Sequence, residues 1–213
     1  PSGTVTILSG TTAQGQGHIT MYTQLLCDKL GLEPHQVRVI EGDTDRLAFG
    51  FGAGGSRSSA MGTAALMMAA DKVIEKGCEI AAHLLEAAVD DIEFADGTFT
   101  VAGTDRAVPL GKVVSSAFAP LTLPPGIEPG LVEQAAYRGD LPSYPNGCHV
   151  CEVEIDPETG TVDVLNYVVV DDFGTVLNPL LVKGQVHGGV VQGLGQILLE
   201  NTVYDSDGQL LTA

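Results

Sequence analysis

The spacing of apolar positions changes several times along the chain, and each change predicts an element. Residues 4–8 alternate and are rich in β-branched side chains, the pattern of a strand. From His18 onward the apolar positions Ile19, Tyr22, Leu25, Leu26 and Leu30 take helical spacing. Gly31 follows, a residue free to adopt the left-handed turn that ends helices. Residues 36–41 return to strand. Residues 56–90 read as one long Ala- and Met-rich helix, interrupted only by Gly62 and Gly77, with small side chains suited to close packing. Residues 92–94 and 99–101 flank Asp96-Gly97, a hairpin signature. Residues 110–118 read as a short helix.

The Pro/Gly-rich stretch 120–130 reads as a crossing loop and the best internal boundary, dividing the chain into lobes 1–125 and 126–213. Strands are expected at 133–137, 149–155 and 162–170, the last two joined by a turn at 156–160. A second buried helix, Gly-rich on one side, is expected over 179–200, and a final hairpin over 203–211 around Asp207-Gly208. Strict strand–helix alternation is missing. The expectation is therefore α+β: two lobes of mixed and antiparallel sheet packed with two long helices.

Composition narrows the function. The 213 residues are 44% hydrophobic with 27 glycines, enough for a sizeable core with many close backbone approaches. A formal charge of −17 repels nucleic acid. It repels any phosphorylated ligand too, so such a ligand must be held by local donors: main-chain N–H groups at helix starts, or an Arg. No apolar run reaches the ~18 residues of a membrane span. The four cysteines (Cys27, Cys78, Cys148 and Cys151) form no framework that a chain of this length needs. With no leader-like segment at the start, a reducing, cytoplasmic setting is expected. Both ends, at Pro1 and Ala213, read as interior points of a longer polypeptide.

Three segments carry candidate chemistry. Gly15-Gln16-Gly17-His18 joins a strand to a helix; it is either a tight turn with a solvent-facing Gln or a place where a ligand approaches bare N–H groups. Residues 50–55 match G-x-G-x-x-G. They are not the dinucleotide fingerprint, because the acidic residue that motif needs about 20 positions on would fall inside a helix. The following Ser56-Arg57 excludes a phosphate loop of the Gly-Lys-Ser/Thr kind. The unit Gly54-Gly55-Ser56-Arg57-Ser58-Ser59 offers N–H groups, hydroxyls and one guanidinium, an inventory suited to pyrophosphate, beside the plainer reading of a serine cap. In the run 185–196, Gln185, Gly188, Gln192 and Gly195 share one helical face, fit for a ligand or for close helix packing. Cys148-x-x-Cys151 lacks a second ligand pair and reads as packing. Asp171-Asp172 reads as a turn cap or a partner for a cation such as Lys183. His35 reads as a surface residue and His83 as a helix residue.

Taken in order, the runs 15–18, 52–59, Asn178-Pro179 and 184–195, with 151–156, Thr159-Gly160 and 171–174, resemble the large subunit of the xanthine dehydrogenase/aldehyde oxidase/carbon monoxide dehydrogenase family over nearly the whole chain. The His after Gly15-Gln16-Gly17, the Gly-Ser-Arg-Ser run from Gly55 to Ser58 and the Gln-Val-His-Gly-Gly run from Gln185 to Gly189 are most similar to the carbon monoxide dehydrogenase-type branch. The resemblance implies an oxidoreductase that holds molybdenum through molybdopterin, in bacterial members usually its cytosine dinucleotide form. It implies that Gly15, Gln16, Gly17 and His18 contact the pterin or its phosphates. Gly54, Gly55, Ser56, Arg57 and Ser58 hold the dinucleotide end, and Gln185, Gln192 and Gly193 reach the pterin from the second helix.

By the same resemblance, the partners are the remaining N- and C-terminal parts of the large subunit and FAD and 2Fe-2S subunits or domains, assembled as a homo-oligomer of the full complex. The family's catalytic Glu lies in a Gly-x-Gly-Glu segment expected after Ala213. Glu200 has no matching motif, so no catalytic residue and no direct metal ligand is assigned to this chain, and the isolated fragment is expected to be inactive. Carbon monoxide, an aldehyde or an N-heterocycle are all substrates the family serves. The contrasting reading is a stand-alone, non-catalytic cofactor-binding or interaction module.

Overall fold

The computed structural model describes residues 3–139 and 144–212, so the ends Pro1 and Ala213 lie outside the described residues. Two compact units emerge, Pro1–Gly139 and Asp140–Ala213, and the fold is α+β.

The first unit opens with a parallel strand pair. β1 (Val5–Ser9) and β2 (Val37–Glu41) run from Val5 opposite Val37 to Ser9 opposite Glu41. Parallel neighbours need a crossover, and α1 (His18–Leu30) supplies it over the span its periodicity predicts. Gly31 ends α1 with φ 64°; a Cβ there would strike the backbone of Asp96 and Gly97. α2 (Thr63–Leu85) lies beside α1, tied by Lys29 to Asp71 at 2.5 Å. Its small residues do what the sequence suggests: a Cβ on Gly77 would sit 2.5 Å from Cζ of Phe99. β3 (Ile92–Ala95), β4 (Thr98–Val101) and β5 (Ala107–Pro109) form an antiparallel sheet, and α3 (Leu110–Ala117) follows. Tyr22, Leu26, Leu30, Ile80, Ala81, Phe99 and Val113 are buried in the core. Full burial of a large apolar side chain stabilises by about 1.5–3 kcal/mol, so this core holds the unit.

Several expectations shift. The helix expected over 56–90 begins with a π-turn at Ser58–Gly62 and stops at Leu85, where Glu86 takes φ 50° and its N–H reaches the Ala82 and His83 carbonyls. No strand forms at 133–137. Instead Lys72 Nζ donates to the Gln134 carbonyl at 2.7 Å and Lys76 lies 3.9 Å from Glu133, so side chains of α2 hold this segment as an irregular strap. The loop 120–130 is likewise fastened to α3, with Gly130 N–H donating to the Ala117 carbonyl at 2.7 Å. The division between 125 and 126 expected from composition thus falls inside the first unit. β5 goes beyond the sequence reading, because three residues are too few to show alternation.

The second unit is a long hairpin and a helix. β6 (Asn146–Ile155) pairs with β7 (Val162–Asp172) through an irregularity between Glu152 and Val153. Its turn is built as expected. The Asp156 carboxylate accepts from the Thr159 hydroxyl at 2.7 Å and the Glu158 N–H at 2.8 Å, and Gly160 takes φ 74°. The Thr159 hydroxyl, then the Glu158 N–H, hold that carboxyl below its ordinary range. The final hairpin reduces to one bridge between Tyr204 and Leu210. α4 (Pro179–Leu198), expected to be buried, buries no residue: Leu180, Val191 and Ile197 are all exposed. Cys148 and Cys151, expected to pack, are exposed as well. Nothing among the described residues covers these apolar side chains.

Candidate functional site

Because β1 and β2 are parallel, the loops that follow them leave from the same edge of the pair. Carboxyl edges of parallel strands are where such folds place ligands. The first loop runs from Gly10 to Gly17, the second from Gly42 to Arg57. They touch through bare backbone: a Cβ on Gly10 would be 2.9 Å from Gly50 Cα, one on Gly50 would be 2.6 Å from the Gly10 oxygen, and Gly52 N–H donates to that oxygen at 3.1 Å. This contact accounts for the first glycine of the 50–55 run without any dinucleotide.

Each loop delivers a helix start without a side-chain cap. α1 opens on Gly17, with φ 83° and ψ 27° and no side-chain hydrogen bond to its first turn. The π-turn that leads into α2 opens on Arg57, also uncapped. First-turn N–H groups lack intrahelical partners and carry the positive end of the helix dipole, so they favour an anion. Ahead of Arg57, Gly55 and Ser56 take φ 57° and 56° in succession. Successive residues of this kind turn N–H groups to one side, as in anion-binding nests; the Arg57 N–H itself closes back on the Gly54 carbonyl at 3.3 Å. For Ser56 that conformation costs about 1 kcal/mol, a strain concentrated where ligands are gripped.

The glycines separate by what surrounds them. Gly15 and Gly55 have positive φ, but a Cβ on either would meet nothing within 4 Å. Gly54 has neither a positive φ nor a neighbour. Its missing side chain is required by no protein atom around it, so the space in front of Gly54 and Gly55 is open. Arg57 reaches back over the Phe51 ring, 5.0 Å from its centroid, and Phe49 meets Phe51 edge-on at 4.9 Å. Ser58 is buried; Ser56 and Ser59 are exposed.

Gln16 and His18 are placed differently from one another. The Gln16 side chain folds onto its own loop, accepting from the Gln14 N–H at 2.5 Å and donating to the Gln14 amide oxygen at 2.9 Å. His18 is buried, with Nδ1 2.9 Å from Glu41 Oε1. Facing a carboxylate, Nδ1 carries the hydrogen. The same Glu41 oxygen accepts from the Thr11 hydroxyl, Thr11 Oγ1 lies 3.0 Å from the Tyr22 hydroxyl, and that hydroxyl donates to the Ser58 carbonyl at 3.1 Å. Sequence reasoning assigns no site role to Thr11, Tyr22 or Glu41. The available signal is Tyr22 itself, an aromatic with a polar tip on a helix face otherwise apolar, which needs a buried partner.

Gln185, Gln192 and Gly193 lie on α4, in the second unit, and are exposed. A Cβ on Gly184, Gly188, Gly189 or Gly193 would meet nothing within 4 Å. The N-terminus of α4 is closed by Asn178, whose side-chain oxygen accepts from the N–H groups of Leu180 and Leu181. Asp172 caps its own turn, accepting from Gly174 N–H at 2.8 Å. The group beside Asp171 is His149, at 3.3 Å, in place of Lys183. Among the described residues no cluster of three or more His, Cys, Asp or Glu is arranged to hold a metal ion, and no helix is long and apolar enough to cross a membrane.

The family model for the molybdopterin cofactor-binding domain matches residues 1–213. The chain is 37% identical to the carbon monoxide dehydrogenase large chain of Hydrogenophaga pseudoflava, over 99% of this chain and 26% of that one. It is 38% identical to the nicotine 6-hydroxylase large subunit of Paenarthrobacter nicotinovorans, over 99% and 26%. Among solved structures, quinoline 2-oxidoreductase from Pseudomonas putida 86 superposes with a TM-score of 0.87 at 40% identity, covering 100% of this chain and 27% of that one. A Cu,Mo-CO dehydrogenase superposes with a TM-score of 0.88 at 34% identity, covering 98% and 26%. The chain spans about a quarter of the length of these relatives. It belongs to the molybdopterin cofactor-binding domain family, the family of the molybdenum hydroxylase large subunits.

Proposed function

We propose that this chain is the portion of a molybdenum hydroxylase large subunit that retains the molybdenum–molybdopterin cofactor, in its cytosine dinucleotide form. The observation that carries the reading is the shared edge of β1 and β2, where two uncapped helix starts stand beside glycines whose side-chain space is open. The residues fit the group: N–H donors, exposed hydroxyls and Arg57 answer a pyrophosphate, and open glycines admit it to van der Waals distance of the backbone. When bound, the cofactor supplies the metal centre at which carbon monoxide, an aldehyde or an N-heterocycle is hydroxylated with oxygen from water.

The chain's own residues bind and orient. Gly54, Gly55, Ser56, Arg57 and Ser58 hold the dinucleotide phosphates, with the buried Ser58 contributing its main chain. Gly15, Gln16 and Gly17 approach the pterin or its phosphates, Gln16 exchanging its bond to Gln14 for one to the ligand. Gln185, Gln192 and Gly193 serve the pterin from α4. Short-range donors prevail over the −17 charge because salt screens the long-range field beyond ~8 Å. The Glu41 carboxylate, answered by Thr11 and His18, faces buried donors and not the ligand edge.

On this reading turnover belongs to the whole large subunit: a Glu in a Gly-x-Gly-Glu segment acts as base, 2Fe-2S and FAD partners carry electrons away, and the complex is a cytoplasmic homo-oligomer. The isolated chain does not catalyse. The exposed leucines and valines of α4 call for a covering surface, which the rest of the large subunit supplies on this reading. Metal analysis and pterin fluorescence on the parent protein, purified from a molybdenum-replete host, test the reading. Equimolar molybdenum and pterin are expected; a protein free of both contradicts it.

A further inference from the structure

The two cofactor loops touch through bare glycine backbone at Gly10 and Gly50, and a buried polar chain fastens the helix starts behind them. It runs from His18 through Glu41 and Thr11 to Tyr22 and ends on the carbonyl of Ser58, the first residue of the π-turn. Hydrogen counting shows how it is wired. The Thr11 hydroxyl has one hydrogen, and that goes to the Glu41 carboxylate. The single phenolic hydrogen of Tyr22 is then shared between Thr11 Oγ1 at 3.0 Å and the Ser58 carbonyl at 3.1 Å. Tyr22 is the link that crosses from α1 to the π-turn. Gly62, at the far end of that turn, makes the link sterically possible: a Cβ there would collide with the Tyr22 hydroxyl and come 3.3 Å from its Cζ.

We propose that Tyr22 is a positioning residue for the cofactor: its hydroxyl fixes the π-turn so that the main-chain donors of residues 54–58 stand beside the Gln16 loop. His18 belongs to the same lock, acting through Glu41 and not as a ligand contact. The inference rests on the cofactor-holding reading above. It also explains why a π-turn, rare in helices and concentrated at functional sites, opens α2: the turn presents the Ser58 carbonyl to a hydroxyl from a neighbouring helix.

A double-mutant cycle on the parent protein tests it, with Tyr22→Phe, Gly62→Ala and the pair. The phenylalanine keeps the buried ring and removes only the shared hydrogen. Cofactor loss on gel filtration, read as released pterin fluorescence and retained molybdenum, is expected to accelerate about tenfold in each single variant. The pair should match Tyr22→Phe alone, because without the hydroxyl the methyl added at position 62 has less to displace. The thermal midpoint of the cofactor-free Tyr22→Phe protein, which adds no atom to the core, gives the structural readout: a merely structural role lowers midpoint and retention together, while a positioning role speeds cofactor loss at nearly constant midpoint. Wild-type retention in Tyr22→Phe, additive effects in the pair, or a loss in Tyr22→Phe that tracks its midpoint overturns the proposal. A wild type that holds no cofactor overturns the functional reading and this proposal with it; a loaded wild type beside an equally retentive Tyr22→Phe overturns this proposal alone.

Discussion

The core of the first unit and the helix of the second use glycine in opposite ways. In the first, glycines at 10, 31, 50, 62 and 77 each face a protein atom that a methyl group would strike, whereas those at 15, 54 and 55 face open space at one edge. In the second, the helical glycines 184, 188, 189 and 193 all face open space, and no residue of α4 is buried. A glycine inside a helix costs about 1 kcal/mol relative to alanine. In the first unit close packing offsets that cost, as at Gly77 against Phe99. In α4 a Cβ on Gly184, Gly188, Gly189 or Gly193 meets nothing, and one on Gly195 meets only the Glu200 side chain, at 3.1 Å. The first unit therefore contains its own reason to fold, a core closed by tightly packed glycines. The second exposes a whole surface whose composition makes sense against something it does not itself contain.

The comparison breaks most readily at Gly77. Valine there drives two methyl groups into the Phe99 ring and should destabilise the first unit by about 3 kcal/mol in urea titration of the 213-residue chain; a wild-type midpoint would show that the packing is not tight. A smaller and opposite effect is expected in α4. Gly188→Ala should stabilise the helix of the isolated chain by up to about 1 kcal/mol, seen as greater helicity by circular dichroism. In the parent protein the same change should weaken cofactor retention, and a variant neutral in both settings would remove the argument from open glycines. The smallest effect concerns thiols. Burial first, then neighbouring acids, raise Cys27 (Asp28 and Glu33) and Cys78 (Glu75 and Glu79) above the ordinary thiol value of 9.0. A raised value means less thiolate at pH ~8, so in the isolated chain Cys27 and Cys78 should alkylate more slowly than the exposed Cys148 and Cys151. Their rates should climb as pH passes about 9. Equal rates for all four would contradict the difference between the units.

Much of the fold is legible in the sequence because local signals agree with it. α1 starts and stops where its apolar spacing and Gly31 place it, and the Asp96-Gly97 turn sits between strands as expected. What fails depends on distant partners. The segment 133–137 has strand-like composition, but two lysines of α2 hold it irregular. The apolar spacing of α4 promises burial, but periodicity says which face is apolar and not whether anything covers it. For the site, the sequence marks both ligand-edge segments through their glycines and serines. It does not show that parallel pairing brings them to one edge, because register is a long-range property. Nor does it mark Glu41 or Thr11, which acquire a role only once Tyr22 is placed beside them.

The central claim is that bare backbone at the β1–β2 edge grips an anionic pterin nucleotide, and Gly54 tests it most directly. Its φ is ordinary and a Cβ there meets nothing, so Gly54→Val should leave the cofactor-free fold intact. In the parent protein, molybdenum measured per large subunit by metal analysis should fall at least about tenfold, the equivalent of about 1.4 kcal/mol of lost binding. Full molybdenum occupancy in a correctly folded Gly54→Val protein would contradict the account.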